Sequence, residues 1–217
     1  MENRKKYTAA LFDLDGVIVD TANYHYLAWK TIADELGIDF SEKDNERLKG
    51  VSRMESLAIL LEIGRLQCDE ATKIALAEKK NKTYVTYIEQ MDAGELLPGV
   101  RDYIVKLRRR DVKIALCSAS KNAPLILQRM QVEDLFDAVI DGNKVEKAKP
   151  DPEVFLQGAR TLGVEQQDCV VFEDAKAGVQ AAKAAGMYVV GIGQEEHLRE
   201  ADIVVQRVDH AKLEKLF

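Results

Sequence analysis

Cysteine is scarce in this chain, and long apolar runs are missing altogether. The 217 residues hold three cysteines, Cys68, Cys117 and Cys169, widely spaced and without a C-x-x-C pair. An odd, scattered set argues against a disulfide framework, and a chain of this length buries about 70% of its unfolded surface without such staples. Cys117 and Cys169 lie in apolar, strand-like runs and read as buried thiols of a reduced compartment. No window approaches the ~20 apolar residues of a membrane span. The opening MENRKKYTAA is charged, lacks an apolar signal core and is expected to run directly into the first strand. A cytoplasmic location and no membrane partner are therefore expected. Basic excess is also lacking: a net charge of -6 and a pI near 5.3 argue against nucleic acid as a partner. There is no internal repeat and no low-complexity tract.

What is present is a rhythm. After the apolar strand TAALFD (8–13) comes a helical region from Asn23 to about Met91. Within it, TANYHYLAWKTIADELG opens on Thr21 as a cap and stops at Gly37. SRMESLAILLEIG repeats that grammar with Ser52 and Glu55 as a capping box, and a third helix follows to Met91. Beyond Leu97, helices alternate with short strands that are apolar at nearly every position: VKIALCS, DAVID, DCVVFED, MYVVGIG and DIVVQ. Such strands are buried on both faces, which signals a parallel sheet under helices. The expected fold is α/β, a doubly wound parallel sheet with a Rossmann-like core and a smaller inserted α-helical cap domain. Residues 1–20 and 94–217 would form the core and 21–93 the cap.

In open α/β sheets, ligands sit beyond the carboxyl ends of the strands. There this chain places Asp13 and Asp15, then Ser118, then Asp141 and Lys149, then Glu173 and Asp174. Two carboxylates about 4 Å apart repel by roughly 4 kcal/mol at an effective dielectric near 20, so such a cluster calls for a cation. Hard oxygen ligands with no His or Cys nearby describe Mg2+ and not zinc. A carboxylate in that setting can attack phosphorus, and a second one can move a proton to or from the leaving or attacking oxygen. Ser118 and Lys149 can hold the equatorial phosphoryl oxygens. Read alone, Lys149 is a solvated lysine and Asp20 a turn former; the K-P-D-P setting of Lys149, opposite the acids, reverses the first reading.

D-L-D-G-V at 13–17, the serine ending the second strand, Lys149-Pro150 and Glu173-Asp174 resemble the four motifs of the haloacid dehalogenase superfamily. The resemblance spans the chain, including the helical insert. It departs at DGNKVEKA (141–148), which lacks the Asp-Pro of the family pattern, and in a longer amino terminus. D-T-A-N-Y-H-Y-L-A-W (20–29), L-K-G-V-S-R (48–53) and S-A-S-K-N (118–122) are similar to the segments of its sugar-phosphate mutases. The resemblance implies that Asp13 carries the phosphoryl group and Asp15 is the acid/base. It also implies Mg2+ on Asp13, the Asp15 carbonyl, Glu173 and Asp174. Ser118, Ala119 and Lys149 would grip the transferring phosphoryl; Arg53, Ser120, Lys121 and Asn122 would grip a second phosphate. His25, Lys49, Gly50, Val51, Ser52 and Lys80 would approach the sugar or order the closed cap. Trp29 falls in the same segment, where helical spacing favours packing over stacking on sugar.

The expected reaction is interconversion of β-D-glucose 1-phosphate and glucose 6-phosphate through an aspartyl-phosphate and a 1,6-bisphosphate. The expected partner is a small sugar phosphate, and a monomer is expected. A sugar-phosphate or phosphoglycolate-type phosphatase would share the same core. A phospho-aspartate receiver domain, the third reading, needs no helical cover over its site.

Overall fold

The structure is a computed structural model that describes residues 7–209 and 211–217. The expectation for the charged start of the chain concerns residues 1–6, outside the described residues. Strand β1 (Ala9–Phe12) is central in a six-stranded sheet with β2 (Lys113–Cys117), β3 (Ala138–Ile140), β4 (Cys169–Glu173), β5 (Tyr188–Ile192) and β6 (Ile203–Val205). The order is β3-β2-β1-β4-β5-β6 and every pairing is parallel.

Alternation along each strand sends neighbours to opposite faces. Ala10, Phe12, Ile114, Leu116, Val170 and Phe172 pack on one side with α5 (Val100–Arg108) and α6 (Ala123–Met130). Ala9, Leu11, Ala115, Cys117, Cys169 and Val171 pack on the other with α7 (Glu153–Leu162) and α8 (Lys176–Ala184). Both faces are covered, which is why these strands carry almost no polar residue. Cys117 and Cys169 are buried free thiols, and Cys68 is partly exposed.

Register does the placing. Phe12 is level with Leu116 on one side and Phe172 on the other. One residue further along, Asp13, Cys117-Ser118 and Glu173 therefore emerge at the same edge, and the Asp13 amide bonds the Phe172 carbonyl at 2.9 Å.

Between β1 and α5 the chain forms α1 (Ala22–Glu35), α2 (Glu42–Asn45), α3 (Arg53–Ile63) and α4 (Glu70–Ile88). The start signals are local. Ser52 and Asp69 accept the Glu55 and Thr72 amides, and Ser41 forms a reciprocal capping box with Asp44. Glu55 does not complete the box expected with Ser52; only the serine half is present. Thr21 also departs from expectation: it occupies the N-cap position of α1 but makes no side-chain cap bond. Trp29, Ile32, Ala33, Phe40, Leu57 and Leu60 give these helices an apolar cluster of their own. No helix among the described residues is long and apolar enough to cross a membrane.

The stacked rings of Phe12 and Phe172, centroids 4.5 Å apart, pin β1 to β4 just below the acidic edge. Phe172→Ala is expected to cost about 3–5 kcal/mol, read from the midpoint of a urea unfolding curve.

Candidate active site

Beyond the sheet edge, between it and helices α1, α3 and α4, lies a cavity of about 680 Å³. At its floor the Lys149 ammonium stands between two carboxylates, 2.5 Å from Asp13 Oδ1 and 2.8 Å from Glu173 Oε2. All three side chains are buried. Burial disfavours an ammonium, but the two carboxylates together outweigh it and raise the Lys149 pKa. The second Glu173 oxygen accepts the Ala175 amide at 3.1 Å. Helix α8 comes so close that a Cβ on Gly178 would lie 2.0 Å from Glu173 Cδ, so only glycine fits.

Asp13, Glu173 and Asp174 each offer an oxygen within 4.8 Å of the others. Burial and the two neighbouring acids raise Asp174 well above the usual carboxylate range. A Cβ on Gly16 would lie 2.1 Å from Asp174 Oδ2, so the turn after Asp15 presses its backbone on this carboxylate. An all-oxygen set whose one ion-paired cation among the described residues is Lys149 suits a hard divalent cation.

Asp15 takes a different role from its neighbour. Its carboxylate accepts a hydrogen bond from the Thr21 hydroxyl, which explains why Thr21 leaves the helix amides uncapped. Burial, then Asp13, pushes the Asp15 pKa up to about 6, with Thr21, Lys149 and Lys80 pulling the other way. Thr21 is a partner of Asp15 that the sequence disguises as a helix cap. Asp20 is exposed and accepts only the Ala22 amide, at 3.1 Å.

Across the cavity the helices contribute cations. Lys80 is buried with its ammonium 4.3 Å from the Tyr84 ring centroid, 5.0 Å from that of Trp29 and 2.9 Å from His25 Nδ1. Burial, then Arg53, lowers its pKa to about 7. Burial, then Lys80 and Arg53, lowers the His25 pKa well below the usual imidazole range. Arg53, at the start of α3, has no carboxylate within ion-pair distance among the described residues.

Every residue expected to touch substrate lines this cavity, and Glu173 stands just behind its wall. That includes Gly50 and Val51 and the run Ser118, Ala119, Ser120, Lys121 and Asn122. Three have prior local duties. Ser52 caps α3, Lys49 is paired with Glu46 at 2.9 Å, and Trp29 is 1% exposed within the helical cluster. Asn45 and Ser56, both buried, line the cavity too, and Asn45 Oδ1 has no partner. Nothing in their neighbouring residues marks them.

Such a site, at the edge of such a sheet, defines a class. Residues 7–186 match the model of the haloacid dehalogenase-like hydrolases, and the chain belongs to that family. Within it, the chain is 45% identical over 210 residues to the beta-phosphoglucomutase of Bacillus subtilis, covering 96% of this chain and 93% of that one. The crystal structure of beta-phosphoglucomutase from Clostridium difficile superposes with a TM-score of 0.92 at 43% identity, over 97% of this chain and 95% of that chain. A fructose-1-phosphate phosphatase of Escherichia coli is 32% identical over 188 residues, 87% of this chain and 97% of its own.

Removing the central cation tests the charge balance. Lys149→Met leaves Asp13 and Glu173 buried without their counter-charge and is expected to cost about 3–5 kcal/mol in metal-free buffer. Added divalent cation should recover part of that loss, measured by urea unfolding with and without the ion.

Proposed function

We propose that this enzyme interconverts β-D-glucose 1-phosphate and glucose 6-phosphate through a 1,6-bisphosphate, using Mg2+ held by Asp13, the Asp15 carbonyl, Glu173 and Asp174. One observation supports the reading: a single cavity joins the acidic edge to a second set of groups able to receive an anion, Arg53 from α3 and the loop from Ser120 to Asn122. A phosphatase needs one phosphate grip; a mutase needs two. The identity to beta-phosphoglucomutase along nearly the whole chain supports the same choice.

The Asp13 carboxylate carries the phosphoryl group. The 6-hydroxyl of β-glucose 1-phosphate attacks that phosphorus, Asp15 takes the hydroxyl proton, and the bond to Asp13 breaks. The bisphosphate then turns end for end. Asp13 attacks the phosphorus on C1, Asp15 returns its proton to the leaving O1, and glucose 6-phosphate departs from a regenerated phosphoenzyme. Bound Mg2+ supplies charge neutralisation for the phosphoryl oxygens and the carboxylates. Ser118 and Lys149 hold the phosphoryl oxygens, while His25 and Lys80 face the sugar. Residues 21–93 act as the cap, excluding water from the aspartyl-phosphate while the intermediate turns. The enzyme works as a cytoplasmic monomer.

Phosphorus NMR of β-glucose 1-phosphate with Mg2+ and a trace of bisphosphate tests this directly. Glucose 6-phosphate is the expected product; inorganic phosphate as the main product would establish a phosphatase. Thr21 offers a second test. Asp15 must be ionised to accept the 6-hydroxyl proton, so kcat/KM falls as pH drops through about 6. The Thr21 hydroxyl favours the carboxylate, so Thr21→Val raises the pKa and moves this acid limb to higher pH. An unmoved limb would assign it to another group.

A further inference from the structure

The loop from Ser118 to Asn122 joins β2 to α6 and carries the distal-phosphate groups of the reading above, on which this inference rests. A loop receives an anion only if its N–H groups, and not its carbonyls, face the ligand. Two of its carbonyls are turned away. Ser120 O accepts the Gly142 amide at 3.2 Å, and Lys121 O accepts the side-chain amide of Asn143 at 3.1 Å. Asn143 is itself fixed, because its backbone amide donates to Asp141 Oδ1 at 2.7 Å. The backbone amides of Ala119 and Lys121 have no protein acceptor among the described residues.

From the opposite side, α4 reaches the same loop. Asn122 Nδ2 donates to Asn81 Oδ1 at 2.9 Å, and both residues line the cavity. An asparagine amide could turn either its oxygen or its nitrogen toward a phosphate, and the oxygen would repel it. The pairing with Asn81 fixes the plane of the Asn122 amide, and the second Nδ2 hydrogen has no protein acceptor among the described residues. Asn143 lies within DGNKVEKA, the segment that departs from the family pattern, so this brace belongs to the chain's own loop.

We propose that Asn81 and Asn143 are positioning residues for the distal phosphate, holding the Ser118–Asn122 loop from two sides so that it meets the anion with N–H groups. Neither is asked to touch the reacting atoms. The test compares two phosphoryl donors in phosphoenzyme formation, acetyl phosphate and glucose 1,6-bisphosphate, because only the second places a phosphate at the distal loop. For Asn143→Ala and Asn81→Ala, the half-saturating bisphosphate concentration should rise by about tenfold, the equivalent of one hydrogen bond to a charged group. The rate from acetyl phosphate and the melting temperature should stay at the wild-type level. Asn143→Asp has the same size but sets an acceptor against the Lys121 carbonyl; a rise at least as large as for Ala is expected, which a space-filling role would not produce. Wild-type saturation by bisphosphate in all three variants overturns the proposal. A wild-type enzyme phosphorylated by acetyl phosphate but not by bisphosphate overturns the mutase reading, and this inference with it.

Discussion

The Lys149 ammonium between the carboxylates of Asp13 and Glu173 is the interaction that the remainder of the structure is arranged around. Three ionisable groups are buried at the end of a sheet whose strands are otherwise apolar. Each charge would be untenable there alone, and the arrangement holds only because opposite signs meet within hydrogen-bonding distance. That demand reaches back into the sheet. Asp13 and Glu173 belong to strands 160 positions apart in the chain, and they come level only because β1 and β4 pair in parallel with Phe12 opposite Phe172. It also reaches sideways, since α8 must offer Gly178 for its first turn to pass the Glu173 carboxylate.

Charge is divided unevenly across the cavity, and the division suits a phosphorylated ligand. The sheet side holds an excess of carboxylates, three of them, Asp15, Glu173 and Asp174, raised by burial. The helical side holds Arg53 and Lys80, neither with a carboxylate within ion-pair distance among the described residues, and burial, then Arg53, lowers the Lys80 pKa to about 7. A divalent cation relieves the first side and an anion relieves the second. A sugar carrying phosphate at both ends, with the metal, satisfies both at once.

Much of this was legible before any coordinates. Strands buried on both faces announce themselves by unbroken apolar runs, and the start of α3 is announced by Ser52; the Asp69 cap of α4 came only from the structure. The acids, Ser118 and Lys149 could be paired with strand ends because the sheet rule assigns ligands to that edge. Thr21 was misleading for a physical reason: its position is that of a cap, but its hydroxyl is held against the buried Asp15 carboxylate, to which it donates a charge-assisted hydrogen bond, and makes no bond to the helix amides. Ser52 and Lys49 have near neighbours in sequence, Glu55 and Glu46, that already satisfy them. Asn45, Ser56, Asn81 and Asn143 gave no signal, since one polar residue in a helix or loop looks like any other until its partner is known.

The sequence by itself determined the element order, the apolar faces, the family to which the chain belongs and which acids and lysine stand at the strand ends. These are properties of spacing and residue type, which act over a few positions. The tertiary structure alone decided the strand order that sets β1 beside β4, the partner of each buried charge, and the contacts of Asn81 and Asn143 with the Ser118–Asn122 loop. Those depend on distances between segments far apart in the chain, and on the burial that turns a modest coulombic preference into a strict one.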